Sequence, residues 1–496
     1  MDKQLKDGLP KQYLFMNANG EIMSIEYGKP GFRRSKLSTD NREANREIVN
    51  SYNGKNGITA EHVKLMRNGA LFGWDMSHGP NFSYRQENNV KGSFIFEIKI
   101  SHPSSFESNT AAEVSLPATP YELADVLNKA RIPDECVFYT LEILSCELDY
   151  LPQFISPDVS LYELNYLAYC LSELNEWELE CFEGMVMMDT IQNRYAPIVV
   201  DRLINMTHST GYCQIAYEAH DDLTLGRFYT DNGFVPELET LPEKIFPWLD
   251  YAKIGKELRE SEGGVFTPNG YVVRSGEISE VYKKGDAVSL EKPGYTVLLK
   301  VAKGYINDTK YKNDPVAFLK LPADDKAVSQ AVEAVDAASL KECTLFVVDC
   351  MVPSLTENIS DSLYGSDGDS YGLVNELAWR LQQMNEENDI LTYKAMLEAA
   401  PDDISLEEAL DLICQTDRFI LLPEITSPAS YATKEIQRSI SFGNNHELEQ
   451  FFDLAAYGRY LIEKIGIAET SYGMLEPYNG QTVVQCIDRP SQQIMQ

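Results

Sequence analysis

The side chains of this chain that could do chemistry are mostly carboxylates: 76 Asp and Glu stand against 43 Lys and Arg, with six His and nine Cys. In the run His220-Asp221-Asp222 an imidazole and two carboxylates could face a divalent cation. The run SDSLYGSDGDS from Ser360 has the acid spacing of part of a calcium loop, but the Glu that closes an EF-hand is missing, so a solvated loop is the simpler reading. Paired carboxylates are so many that no pair stands out as a general acid and base. Phosphate-binding glycine loops, dinucleotide fingerprints, nucleophile elbows and HExxH helices are absent. His62, His78, His102, His208, His220 and His446 are scattered, and the nine cysteines form no CxxC and sit mostly among apolar residues, as buried free thiols do. The composition therefore reads as a binding protein, not an enzyme, with no catalytic residue, metal or cofactor expected.

Charge is unevenly placed. Residues 1–89 hold 13 basic and 10 acidic side chains, whereas 90–275 hold 12 and 30 and 293–480 hold 14 and 31, giving net charges of +3, −18 and −17. The segment 276–292 carries −1 and the tail 481–496 is neutral. Acidity of this size can serve solubility alone; its near equality in two distant stretches suggests that it is used. No run of 18 apolar residues occurs, and no apolar stretch follows the lysines of the N-terminus, so neither a membrane span nor a signal peptide is expected and a cytoplasmic location is the default.

The elements that would position these carboxylates occur twice. LYELNYLAYCLSELN, from Leu161, returns as YGLVNELAWRLQQMN, from Tyr371, so that Asn165, Leu167, Ala168, Leu171 and Asn175 meet Asn375, Leu377, Ala378, Leu381 and Asn385 at a constant offset of 210. The apolar spacing of three and four marks one buried helical face. Upstream, Leu116-Pro117 answers Leu321-Pro322 and Cys146 answers Cys350; downstream, Asp250, Ala252 and Gly255 answer Asp453, Ala455 and Gly458. Offsets drifting between 203 and 211 place insertions in loops. The chain is thus expected to be α+β, with two elongated tandem copies of small mixed sheets and short helices at 90–275 and 293–480. A polar linker at 276–292 joins them, and a small β-containing domain precedes them at 1–89.

Read in order, Tyr13 to Gly28 is a hairpin about an Asn-Gly, followed by a basic stretch with Arg33, Arg34 and Lys36 and a short helix from Thr59 to Met66. In the first copy, 117–130 is a helix with Ala124, Val126 and Leu127 inward. Two helices span 160–188, with Glu163, Glu173, Glu176, Glu178, Glu180 and Glu183 on their exposed face. After a strand come Asp221 and Asp222, a helix, an acidic loop with Asp231, Glu237, Glu239 and Glu243, and a closing helix from Phe246 to Leu258. In the second copy acid gathers at Glu376, at Glu386, Glu387 and Asp389, and at Asp402, Asp403, Glu407 and Glu408, where the first two favour a helix N-terminus.

In the first copy, LEILSCELDYLP, SLYELNYLAYCLSELNEWELECFE and FPWLDYAKIGKELRESEGGVFTPNGYVV, and in the second LVNELAWRLQQMN and FFDLAAYGRYL, resemble the ArdA antirestriction proteins of plasmids and conjugative transposons. The resemblance covers about three quarters of the chain and leaves out residues 1–89. It departs from the family at Lys253-Ile254-Gly255-Lys256, where A-Y-G-R is usual, and at Tyr460, where an Asp is usual.

That resemblance implies a DNA mimic, an acidic protein that occupies the DNA groove of type I restriction-modification enzymes. Duplex DNA presents about one negative charge per 1.7 Å of helix axis, and proteins grip it with arrays of Lys and Arg. Carboxylates at comparable spacing could engage the same arrays. The acidic residues named above would form that surface, with no direct DNA binding by the acidic copies. Because the family acts as dimers, the two copies would pair within one chain, and further homo-oligomers are open. The alternative is an ArdA-like scaffold of a mobile element whose N-terminal domain binds DNA or a conjugation partner.

Overall fold

A computed structural model describes residues 12–16, 22–27, 94–101, 110–132, 139–239, 241–283, 293–304, 315–364, 370–384, 387–439 and 452–487. The fold is α+β. The expected N-terminal hairpin is present as antiparallel β1 (Gln12–Met16) and β2 (Ile22–Tyr27). Its turn, the Arg33-Arg34-Lys36 stretch and the expected helix from Thr59 to Met66 lie outside the described residues.

The order of elements repeats. β3 (Phe96–Ser101), β4 (Ala111–Leu116) and β5 (Thr140–Cys146) form a sheet of order β4-β3-β5. A second sheet of order β10-β9-β11 is built from β9 (Val297–Lys303), β10 (Val316–Leu321) and β11 (Cys343–Cys350). The equivalent strands β4 and β10 each end at a cis X-Pro bond, at Leu116-Pro117 and Leu321-Pro322. Each then leads to a helix, α1 (Pro120–Lys129) or α7 (Asp325–Ala334). The turn after each helix carries a non-glycine residue with positive φ, Arg131 at 56° and Asp336 at 55°.

Helices follow. In the first copy they are α2 (Leu161–Ser172), α3 (Glu176–Gln192), α4 (Val200–Thr207), α5 (Asp222–Asp231) and α6 (Tyr251–Glu262). In the second they are α9 (Ser370–Gln383), α10 (Glu387–Glu398), α11 (Leu406–Ile413), α12 (Pro428–Ser439) and α13 (Leu454–Ile465), preceded by α8 (Thr356–Tyr364). Helix α8 takes up the first part of the Ser360 acidic run, whose residues 365–369 lie outside the described residues. The second sheet of each copy has one order, β6-β8-β7 and β12-β14-β13, from β6 (Cys213–Ala216), β7 (Val265–Thr267), β8 (Gly270–Arg274), β12 (Phe419–Leu422), β13 (Ala468–Thr470) and β14 (Gly473–Pro477).

Packing repeats as well. Ala216, Ala219 and Leu225 close a small core against Tyr271, and Leu422, Ile425 and Tyr431 do so against Met474. The closing helices α6 and α13 start at the Asp N-caps Asp250 and Asp453 and stop at the left-handed glycines Gly263 and Gly466. Between those ends, Gly255 and Gly458 let a neighbouring backbone approach so closely that an added Cβ would lie 1.9 Å from the Asp222 carbonyl oxygen or 1.8 Å from that of Pro428. The closing helix starts at Tyr251 and not at Phe246, because Pro247 sits in a 3-10 turn and the Asp250 carboxylate caps the Lys253 amide at 3.1 Å.

Compactness divides the chain differently from the repeat. One unit holds residues 94–96 and 145–283 with the hairpin; the other holds the described parts of 97–144 together with those from 293 onward. In the first unit, residues 276–283, expected as linker, are seated on α4: Asn205 Oδ1 accepts from the amides of Val281 and Tyr282 at 2.8 and 2.7 Å, and Tyr282 is buried against Tyr166. The main core of the second unit runs from β9, β10 and β11 through α9 and α11 to β12 and β14. Asn375, one of the repeated asparagines, clamps the backbone of Ala323 just beyond the cis proline by donating and accepting at 3.0 and 2.8 Å.

Candidate functional site

The carboxylates singled out in the sequence meet different fates. In the first unit, Glu176, Asp221, Asp231 and Glu237 are exposed, and Glu173, Glu180, Glu183 and Asp222 are half-buried. In the second unit, Glu376, Asp402, Asp403 and Glu407 are exposed, and Asp389 and Glu408 half-buried. Glu386 lies outside the described residues, and the side chains of Glu239, Glu243 and Glu387 do as well.

Glu163 and Glu178, expected on the exposed face, are each only 4% accessible. Each is the third residue of its helix and folds back on the N-cap. Glu163 accepts from the amide of Ser160 at 3.4 Å, and Glu178 from that of Asn175 at 3.0 Å, while the caps accept in return from the Glu amides. These carboxylates satisfy helix ends and are closed to a partner. Glu408 does the same for α11 with Ser405, at 2.9 Å. The cap of that helix is Ser405, so Asp402 and Asp403 precede it in a turn and are not its first residues.

Other acids are held by cations. Arg259 grips Asp222 through two bonds of 2.7 and 3.2 Å, tying α6 to α5. Arg380 holds Glu376 one turn away on α9. Tyr217 donates to Glu180 at 2.8 Å; burial, helped by Glu180, holds the Glu183 carboxyl above its ordinary range. In the His220-Asp221-Asp222 run, Asp221 caps α5 through the Thr224 amide at 2.7 Å, so two of the three side chains have structural partners. No cluster of three or more His, Cys, Asp or Glu arranged to hold a metal occurs among the described residues.

Exposed acids also occur where no local sequence signal marks them. Glu218, Glu257 and Glu260 lie in the first unit and Asp324, Asp325 and Glu333 in the second, all exposed. The regional excess of charge was the trace of them in the sequence. An array of exposed carboxylates can present negative charge to a cationic face.

Two further buried carboxylates lie in the second unit. Asp125 of α1 accepts from Lys394 at 2.6 Å and Tyr472 at 2.9 Å and pairs with Lys129 at 3.0 Å. Burial alone would raise its pKa, but Lys394 and Lys129 outweigh it and hold the carboxyl below its usual value. Asp349, fully enclosed, accepts from Tyr295 at 3.0 Å; desolvation dominates and pushes its pKa up to about 7, with Glu122 adding to the rise and the hydrogen bond from Thr119 opposing it. Of the α1 residues expected inward, Val126 and Leu127 are buried and Ala124 is half-buried, while Leu123 and Asp125 are buried as well.

Compared with known protein families and with curated proteins, the sequence matches none of either.

Proposed function

We propose that this chain is an antirestriction DNA mimic of the ArdA type, acting by competition with DNA for the binding groove of a type I restriction-modification enzyme. The observation that carries the reading is the pairing of net charges −18 and −17 on two copies that repeat the same two sheet orders. Divergent copies that keep both scaffold and charge are what selection for a charged surface leaves behind. The motifs that resemble ArdA supply the choice of target.

In this reading the working carboxylates are the exposed ones: Glu176, Asp221, Asp231 and Glu237 in the first unit and Glu376, Asp402, Asp403 and Glu407 in the second. Each stands in for a phosphate against Lys and Arg of the enzyme, so attraction is long-range, association fast and inhibition sensitive to salt. No single acid dominates. The two copies act as a pseudo-dimer, and one chain supplies what a family dimer supplies with two. The chain acts in the cytoplasm, where the restriction enzyme meets incoming DNA; no described helix is long and apolar enough to cross a membrane. The test is relief of restriction of incoming DNA in cells carrying a type I system, with and without the chain; equal restriction in both, across such systems, removes the reading.

A further inference from the structure

The chain leaving β8 is fastened across α4. Ser275 donates through its amide and its hydroxyl to Tyr212 O at 2.8 and 2.9 Å, and the Ser279 amide donates to Ser209 Oγ at 3.0 Å. Asn205 Nδ2 adds a bond of 2.8 Å to Tyr282 O beside the two that its Oδ1 accepts. Gly276 passes so close to the Tyr212 ring that an added Cβ would lie 2.7 Å from it. Between this segment and the first turn of α4 lies a cleft of about 570 Å³, within the range of about 300–1,000 Å³ usual for small-molecule sites. The chain leaving β14 instead turns into a short helix, Val483–Cys486, so the course that builds the cleft belongs to the first copy.

The charged side chains lining the cleft are Asp201, Arg202, Arg274, Glu277, Glu280 and Lys283, balanced in sign. Arg202 is spent on Asp189 of α3. Arg274, half-buried at the end of β8, has no hydrogen-bond or ion-pair partner for its guanidinium among the described residues, and the exposed Glu277 and Glu280 carboxylates have none either. Unspent groups of both signs thus share one cleft whose walls are already held in place, and walls held in advance bind without an ordering cost.

We propose that this cleft binds a short peptide in its zwitterionic form, with the C-terminal carboxylate on Arg274 and the N-terminal ammonium at Glu277 and Glu280. Charge separates the possible ligands. A simple anion meets the net −18 of the first copy and is repelled, whereas a simple cation is drawn to any exposed acid and has no use for Arg274. A molecule carrying both charges is nearly indifferent to the overall field and gains only where both signs are unspent in one place. Guanidinium takes a carboxylate through two parallel N–H donors, and carboxylates accept in turn from an ammonium group. The volume exceeds that of a single amino acid, and Val199, Ile278 and Tyr282 offer apolar lining to small side chains. The antirestriction reading uses neither this cleft nor Arg274, so the two stand or fall separately.

The full chain is titrated with trialanine, with N-acetyl-trialanine, which lacks the ammonium, and with trialanine amide, which lacks the carboxylate, and binding is read by saturation-transfer NMR of the peptide methyls. The expected results are saturable binding of trialanine and binding of each blocked peptide weaker by about 10-fold or more. Arg274→Gln should weaken trialanine to the level of its amide and leave the amide unchanged. Glu277→Gln/Glu280→Gln, at exposed positions where folding is not at stake, should weaken trialanine to the level of its acetylated form and leave that form unchanged. No saturable binding of trialanine, equal binding of trialanine and its amide, or an affinity that neither variant alters overturns the proposal.

Discussion

Lys394 Nζ lies 2.6 Å from Asp125 Oδ1, and the two residues are 269 positions apart. A helix of the first copy is thereby bonded to a helix of the second inside one compact unit. Both side chains are almost fully enclosed, 7% accessible for the acid and 4% for the lysine. Removing one partner leaves the other charge buried without compensation, which typically costs about 3–5 kcal/mol, whereas replacing both by apolar groups is often near neutral. Asp125→Ala is therefore expected to lower the unfolding free energy by about that amount in urea titrations, and Asp125→Leu/Lys394→Met to recover most of it.

Asp349 predicts a pH dependence of opposite sense to acid denaturation. Its folded pKa is about 7 against an ordinary 3.8, so between those values the folded chain holds a proton that the unfolded chain has released. Stability then falls as pH rises through that window, and the loss is complete above the folded value. Asp349→Asn keeps an oxygen to accept from Tyr295 and removes the ionisation. Thermal unfolding should show it close to the unaltered chain near pH 4 and more stable at pH 8; a pH-independent difference would remove the assignment.

The helix ends separate structural from functional acid. Glu176 and Glu178 are two residues apart on α3, but the first is exposed and the second closes a capping box. Glu178→Ala should lose about 0.5–2 kcal/mol of stability and leave the salt dependence of partner binding unchanged. Glu176→Ala should do the reverse, with stability within about 0.5 kcal/mol. Chemical denaturation and binding titrations over a salt series read both.

Two glycines on helices of the second unit should respond with opposite sign. At Gly458 an added methyl would meet the Pro428 carbonyl oxygen at 1.8 Å and force α13 from α12, so Gly458→Ala is expected to destabilise by about 1–3 kcal/mol. At Gly372 nothing lies within 4 Å, so Gly372→Ala should stabilise α9 by about 0.5–1 kcal/mol. A melting temperature of Gly458→Ala at or above that of the unaltered chain would show the α12–α13 contact to be looser than described.

The duplication was legible because its markers are backbone requirements: Asp250 and Asp453 at helix starts, Gly255 and Gly458 at close contacts, Pro117 and Pro322 after equivalent strands. The fate of the acids was half legible. Ser160-Glu163, Asn175-Glu178 and Ser405-Glu408 all have the cap-to-third-residue spacing of a capping box, a signal that regional charge counting passes over. Asp125 with Lys394 could not be read at all, since nothing local marks two residues that meet only through the tertiary fold.

The central claim is that exposed carboxylates replace phosphates, and competition for a purified type I methyltransferase tests it most directly. Labelled duplex DNA bound to the enzyme is displaced by the chain at rising salt, alongside a variant with Glu176, Asp221, Asp231, Glu237, Glu376, Asp402, Asp403 and Glu407 changed to their amides; the side-chain oxygen kept by Asp221→Asn would still cap α5. The account predicts displacement by the unaltered chain that weakens as salt rises, and a loss of about 100-fold or more in the folded variant. Equal displacement by the two proteins, or inhibition indifferent to salt, would contradict it.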